Sequence, residues 1–348
     1  MGELSYPVRS ARSSLYRILD ANLDRAREGI RIVEEWCRFG LDDARLTDEC
    51  KHLRQQLAHW HTAELRAERD TASDAGTSLT HPQEAERHSI EQVVQVNLCR
   101  VQEALRVLEE YGKVYSPEMG ATFKQMRYRV YQLESRLMVC NRQQLLKLSR
   151  LYLVTSPLDN LLPIVEQALQ AGVTLVQYRD KHADDEVRLQ NARQLCQLCH
   201  QYGALFIVND RVDLALAVNA DGVHLGQQDM PIALARQLLG TQKLIGRSTH
   251  CPDDLHAALA EGADYIGVGP VYETPTKAGR AAAGLDYVRY AAKHATVPWF
   301  AIGSVDHTNL QEVMDAGADR VAIVRAIMQA ENPTQATQHF LKQLVGKR

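Results

Sequence analysis

Long apolar runs are missing from this chain. Nowhere in its 348 residues does a hydrophobic stretch approach the roughly 20 residues that a membrane span requires. The opening MGELSYPVRSARSS has neither the apolar core of a secretory signal nor the dense basic bias of an organellar presequence. A dominant charge sign is missing too. Lys and Arg number 40 against 43 Asp and Glu, for a net charge of -3, so nothing selects nucleic acid or another polyanion as a partner. A local basic site for a phosphorylated small molecule remains compatible with that balance. Cysteine is scarce, odd in number at seven, and scattered, which fits a reducing, cytoplasmic setting better than a disulfide framework. Cys196 and Cys199 form a lone CxxC inside ARQLCQLCHQYG. With no second pair nearby, they read as packed thiols rather than as a metal or redox site.

Residues 1–149 are poor in glycine, proline and β-branched residues within their main segments and show no alternating strand pattern, so they read as a helical domain. That domain contains a repeat. NLDRAREGIRIVEE starts at Asn22 and NLCRVQEALRVLEE at Asn97. Leu23, Ala26, Ile30 and Val33 in the first copy, and Leu98, Val101, Leu105 and Leu108 in the second, each fall on one helix face. The polar positions recur as well, in the pairs Asn22/Asn97, Arg25/Arg100, Glu28/Glu103, Arg31/Arg106 and Glu35/Glu110. Charge pairs on paired amphipathic helices account for this pattern. A symmetric interface, a second ligand site, or a regulatory or assembly module also accounts for it, which leaves a homo-oligomer open. Between the copies, RDTASDAGTSLTHPQEAE is polar and turn-rich and reads as a loop.

From residue 150 to residue 348 the period changes. Short apolar runs, LYLVTS, TLVQYRD, ALFIVND, GVHLGQ, KLIGRST, YIGVGPVY, PWFAIGS and RVAIVRA, alternate with helical stretches. Eight such strands with crossovers predict a closed (β/α)8 TIM barrel, an α/β fold, following the all-helical domain. An open doubly wound sheet is the alternative, but it would typically use fewer strands and a glycine-rich first loop, which LYLVTSPLDN does not supply.

In such a barrel the chemistry collects at the C-terminal strand ends. Here those ends offer Gln177, Arg179 and Lys181, then Asn209 and Asp210, Asp229, Ser248 and His250, Thr274, Thr276 and Lys277, Gly303, and Arg325. Taken singly, Asp210 and Asp229 read equally well as a helix cap and a surface turn. Together, hard carboxylate oxygens suit Mg²⁺ completed by substrate phosphate, while Arg and Lys suit the phosphate oxygens. The set predicts a diphosphate substrate clamped by a divalent ion. The glycine after the seventh strand exposes backbone N–H groups to a separate phosphate. One diphosphate and one phosphate on a single rim point to group transfer between two phosphorylated molecules. An isomerase or aldolase using the carboxylates as acid and base, or a barrel that binds without catalysis, shares parts of this pattern.

The motifs QYRDK, IVNDRVDLA, ADGVHLGQQDMP, IGRSTH, DYIGVGPVYETPTKAG, AIGSV and GADRVAIVRAI resemble the thiamine-phosphate synthase family over residues 150–345, and the helical extension resembles cyanobacterial members. The resemblance implies a transferase that condenses 4-amino-2-methyl-5-hydroxymethylpyrimidine diphosphate with thiazole phosphate to give thiamine monophosphate and diphosphate, releasing CO₂ when the thiazole is carboxylated. It implies that Gln177, Arg179, Lys181, Asn209, Ser248 and Lys277 face the pyrimidine diphosphate and that Thr274, Thr276 and Gly303 hold the thiazole phosphate. Asp210 and Asp229 would bind Mg²⁺, and Arg179, Lys181 and Lys277 would stabilise charge on the departing diphosphate. One departure stands out: where the family usually carries serine in the eighth-strand motif, this chain has Arg325.

Overall fold

The structure, a computed structural model, describes residues 10–71, 74, 87, 90–274 and 281–345. Most of the turn-rich connection between the repeat copies, together with Thr276 and Lys277, lies outside the described residues. The chain divides into two compact units, Met1–Met138 and Val139–Arg348.

The first unit is built from α1 (Ala11–Phe39), α2 (Ala44–Trp60), α3 (Ala63–Ala67), α4 (Ile90–Tyr115) and the first two-thirds of α5 (Pro117–Leu148). Side-chain caps set several starts: Asp43 accepts from the N–H groups of Arg45 and Leu46, both at 2.9 Å, and Ser116 accepts from Met119 at 3.1 Å. The repeated apolar positions are all buried. They bring α1 against α4 so closely that a Cβ on Gly29 would stand 2.6 Å from Val101 Cγ2 and 3.1 Å from the Asn97 carbonyl oxygen. The polar repeat is real in space. Asn22 donates to the Ile18 carbonyl at 2.8 Å and Asn97 to Val93 at 2.7 Å, each from the same position of its helix. Arg31 pairs with both Glu34 and Glu35, and Arg106 with both Glu109 and Glu110. The buried member of each pair, Glu34 or Glu109, meets a second arginine, Arg54 or Arg127, at 2.9 Å.

The second unit is a closed barrel whose strands follow chain order, every neighbouring pair being parallel. Its elements are β1 (Leu151–Val154), α6 (Leu161–Gln170), β2 (Leu175–Tyr178), α7 (Asp185–Gln201), β3 (Leu205–Asn209), α8 (Val212–Ala217), β4 (Gly222–Leu225), α9 (Ile232–Leu239), β5 (Leu244–Thr249), α10 (Pro252–Ala260), β6 (Tyr265–Val268), α11 (Gly284–His294), β7 (Trp299–Ile302), α12 (Leu310–Asp315), β8 (Val321–Ile323), α13 (Arg325–Met328) and α14 (Pro333–Val345). Continuous apolar strands are what a parallel sheet buried on both faces requires. One set of side chains, including Val176, Phe206, Val223, Ile245, Ile266 and Val321, packs outward against the helices. The alternate set, Tyr152, Leu175, Leu205, Leu244, Tyr265 and Phe300, fills the barrel interior, and Leu146 at the end of α5 packs into its floor. Cys196 and Cys199 are buried free thiols on α7. Among the described residues, no helix is long and apolar enough to cross a membrane.

Candidate active site

Above the apolar floor, the barrel interior turns polar in the last positions of the strands. Gln177 on β2 donates to Tyr152 Oη at 2.7 Å, and the Tyr152 and Tyr265 hydroxyls lie 2.8 Å apart. Tyr265 Oη stands 3.3 Å from His224 Nδ1, and His224 Nε2 stands 3.0 Å from Ser248 Oγ. Burial pushes the Tyr265 and Tyr152 phenols well above their ordinary range, so both stay neutral and serve as hydrogen-bonding spacers. Gly246 makes room for this chain of contacts, since a Cβ there would lie 2.2 Å from the Tyr265 ring and 2.6 Å from His224 Nδ1.

Of these residues, Tyr152, Gln177, His224 and Ser248 line the bottom of a cavity of about 450 Å³ at the C-terminal strand ends. Of the expected site residues, Gln177, Arg179, Asn209, Ser248, Thr274 and Gly303 line it, as do His250 and Arg325. Gln177 lies on β2, which ends at Tyr178, one residue before Arg179. The two cations therefore leave from the following loop. Arg179 is anchored there by its own N–H, which donates to Thr155 Oγ1 at 3.0 Å, and it faces the cavity. Lys181 turns to Asp210, with 2.8 Å between Nζ and Oδ2.

Asp210 and Asp229 meet. Asp210 takes a left-handed φ of 62° directly after β3, and its N–H donates to the His224 carbonyl at 2.8 Å, which fixes the carboxylate at the rim. Asp229 accepts from Gly226 N–H at 2.6 Å and shares a hydrogen bond with Asp210. Burial and the neighbouring Asp210 raise the Asp229 carboxyl above its usual value. Burial acts the same way on Asp210, but the Lys181 ammonium and the Asp229 hydrogen bond outweigh it and hold that carboxyl below the usual range. Two hard carboxylates in contact, one beside a lysine, fit the oxygen donor set that Mg²⁺ takes.

The opposite wall is backbone-rich. Gly303 follows β7 with a φ of 115°, and a Cβ there would stand 2.5 Å from Pro270 Cα. Only glycine fits that approach. Ser304 Oγ donates to the Glu273 carbonyl at 2.7 Å and so ties the loop after β7 to the loop that carries Thr274. Arg325 opens α13 and donates to Ser304 Oγ at 3.2 Å, which places a guanidinium on this wall. His250 is held by Asp254, whose Oδ2 lies 2.9 Å from His250 N and 3.0 Å from its Nδ1. Sequence reasoning passed over His224, Tyr152 and Tyr265. The histidine in GVHLGQ was the available signal, and its inward direction follows from the strand register that pairs it with Asn209 and Gly246.

A second group of ligand-type side chains lies in the helical unit and was not anticipated. Asp20, Asp24 and His61 bring one ligand atom each within 4.8 Å of one another, a set that could hold a divalent cation. Burial works to raise the Asp20 carboxyl, yet hydrogen bonds from Arg69 and His61 hold it below its usual value.

Comparison with known proteins agrees with this geometry. Residues 151–327 match the family described as thiamine monophosphate synthase, and residues 17–136 match the ThiD2 family. The chain is 69% identical to the thiamine-phosphate synthase of Nostoc sp. over 95% of its own length and 94% of that protein's. It is 65% identical to the thiamine-phosphate synthase of Synechocystis sp. over 95% and 97% of the two chains. The thiamine phosphate pyrophosphorylase structure from Pyrococcus furiosus superimposes with a TM-score of 0.54 at 36% identity, covering 58% of this chain and 98% of that one. The similarity to the cyanobacterial relatives therefore runs through helical unit and barrel alike, and this chain belongs to the thiamine monophosphate synthase family.

Proposed function

We propose that the chain is a Mg²⁺-dependent transferase that joins 4-amino-2-methyl-5-hydroxymethylpyrimidine diphosphate to thiazole phosphate, giving thiamine monophosphate and diphosphate. The carboxylated thiazole also serves, with loss of CO₂. The synthase occupies residues 150–348, with residues 1–149 as a helical domain of separate role. The observation that carries the reading is a single cavity with polar strand-end side chains on one wall and a glycine-lined backbone cradle on the other.

Gln177, Asn209 and Ser248 orient the aminopyrimidine, and the buried Tyr152–Tyr265–His224 chain fixes the rotamers of Gln177 and Ser248. Arg179 and Lys181 face the diphosphate, joined by Lys277 from outside the described residues. Asp210 and Asp229 would hold Mg²⁺, whose charge neutralises the leaving diphosphate. The bond between the pyrimidine methylene carbon and the diphosphate oxygen breaks, and its electron pair departs with diphosphate. The thiazole nitrogen lone pair then forms the new C–N bond, so no side-chain nucleophile is needed. Gly303 and Thr274, with Thr276, hold the thiazole phosphate on the opposite wall, and enclosure keeps water from intercepting the cationic carbon.

The test is to mix the full-length chain with both substrates and Mg²⁺ and to follow diphosphate and thiamine phosphate together. Equal amounts of the two products are expected. Absence of the joined product across a range of pH and Mg²⁺ concentration would overturn the reading.

A further inference from the structure

The cluster in the helical unit is assembled from three places. Asp20 and Asp24 stand one turn apart on α1, His61 caps the C-terminus of α2, and Arg69 follows α3. His61 is buried, with 4% of its surface exposed, and its Nε2 lies 2.6 Å from Asp20 Oδ1. Its Nδ1 is buried, makes no hydrogen bond, and lies 3.5 Å from Asp24 Oδ1. Arg69 donates to Asp20 through Nε at 2.8 Å and Nη2 at 2.9 Å, and pairs with Asp24 as well. Asp20, Asp24 and Arg69 form one wall of an open cleft of about 520 Å³, which Asn22, Arg17 and Arg25 also line.

The internal repeat supplies a control within the same molecule. Gln95, Cys99 and Glu134 occupy the second-copy positions of Asp20, Asp24 and His61, as Asn97 does for Asn22 and Arg127 for Arg54. There the contacts are plain amide hydrogen bonds. Gln95 and Gln102 each donate to Glu134 at 2.7 Å. Among the described residues, the scaffold therefore closes this corner of the helix pair without paired carboxylates, a buried imidazole or a cation across them. The first copy concentrates all of these in a corner where Asp20 and His61 are buried, whereas Gln95 and Cys99 in the second copy are exposed, and it leaves one imidazole nitrogen unused beside a carboxylate.

Two carboxylates and an imidazole suit Zn²⁺-like ions, whereas Mg²⁺ prefers oxygen donors alone. Three protein ligands also leave a coordination position open toward the cleft. We propose that Asp20, Asp24 and His61 form a divalent transition-metal site of the Zn²⁺ class, in which the ion replaces the electrostatic partner that the Arg69 guanidinium provides in this structure.

The test is a Co²⁺ titration of the metal-stripped full-length chain, followed by visible absorption and competed with Zn²⁺. It is run in excess Mg²⁺ so that the barrel carboxylates are filled. One Co²⁺ site displaced by Zn²⁺ is expected. His61→Gln and Asp24→Asn should each weaken it by at least roughly tenfold. Arg69→Ala should tighten it, because a competing cation is removed; a misfolded variant could not produce that gain. The proposal is overturned if wild-type protein shows no such site, if the site survives both ligand substitutions, if Mg²⁺ abolishes it, or if Arg69→Ala weakens it or leaves it unchanged.

Discussion

At the barrel mouth, Asp210 and Asp229 hydrogen-bond each other while Lys181 neutralises one of them. In the helical unit, Asp20 and Asp24 are joined instead through Arg69, with His61 closing the other side. The first arrangement offers only oxygen donors beside the barrel-mouth cavity, and the second adds a buried nitrogen. The barrel pair comes from consecutive strand ends, so chain order alone brings it together. The helical cluster joins side chains 41 and 49 residues apart, and helix packing alone brings it together. Similar charges thus arise by two routes, and only one is written along the chain in order.

The comparison breaks most visibly through activity. Asp229→Ala should lower turnover about 100-fold or more, because the charge that stabilises the departing diphosphate is lost. Initial rates at saturating substrates check this, and a near-wild-type rate would remove Asp229 from the metal site.

Stability tests the repeat. Arg127→Ala leaves the buried Glu109 with Arg106 as its remaining described partner and should cost about 3 kcal/mol. Gln95→Ala, at the exposed amide–carboxylate corner of the same copy, should cost about 1 kcal/mol. Urea melts of the two variants measure the difference, and equal costs would contradict the assignment of Glu109 as a buried, paired charge.

A smaller effect separates structural from functional charge within the barrel unit. The Asp221 carboxylate, 2.9 Å from His200 Nε2, raises the imidazole to about 10. A raised histidine stabilises fully below its unfolded value of about 6.5 and loses that contribution as pH rises through the folded value. Burial would raise Asp221, but His200 and Arg142 hold it below its usual value, so its own contribution is present above the ordinary carboxylate range and is lost as pH falls through the lowered value. Denaturation midpoints should therefore fall between pH 7 and 10, and His200→Gln should flatten that slope. An unchanged slope would contradict the pairing.

The smallest change is expected from Arg325→Ser. Turnover should persist while KM for thiazole phosphate changes a few-fold, roughly what one exposed charge-assisted contact contributes. A selective change in KM for pyrimidine diphosphate would place Arg325 on the other wall.

Much of the barrel was legible because strand hydrophobicity, turn signals and polar strand ends all follow chain order. The eight runs became eight strands, and Asp210 was placed beside Asp229 by topology. What was not legible depended on where an element stops or which way a face turns. β2 ends one residue before Arg179, which separates Arg179 from Lys181. His224 points inward through register. Glu34 and Glu109 sit next to exposed partners in the repeat, and only helix packing, which brings Arg54 of α2 and Arg127 of α5 to them, shows that they, rather than Glu35 and Glu110, are buried. His61 carries no motif at all.

The central claim is that joining chemistry belongs to the carboxylate pair at the barrel mouth and not to the cluster in the helical unit. The direct measurement is the rate of thiamine phosphate formation by Asp229→Ala and His61→Gln, side by side with wild type at fixed Mg²⁺. The account predicts loss of turnover in the first and a wild-type rate in the second. Retained turnover in Asp229→Ala together with loss in His61→Gln would contradict it.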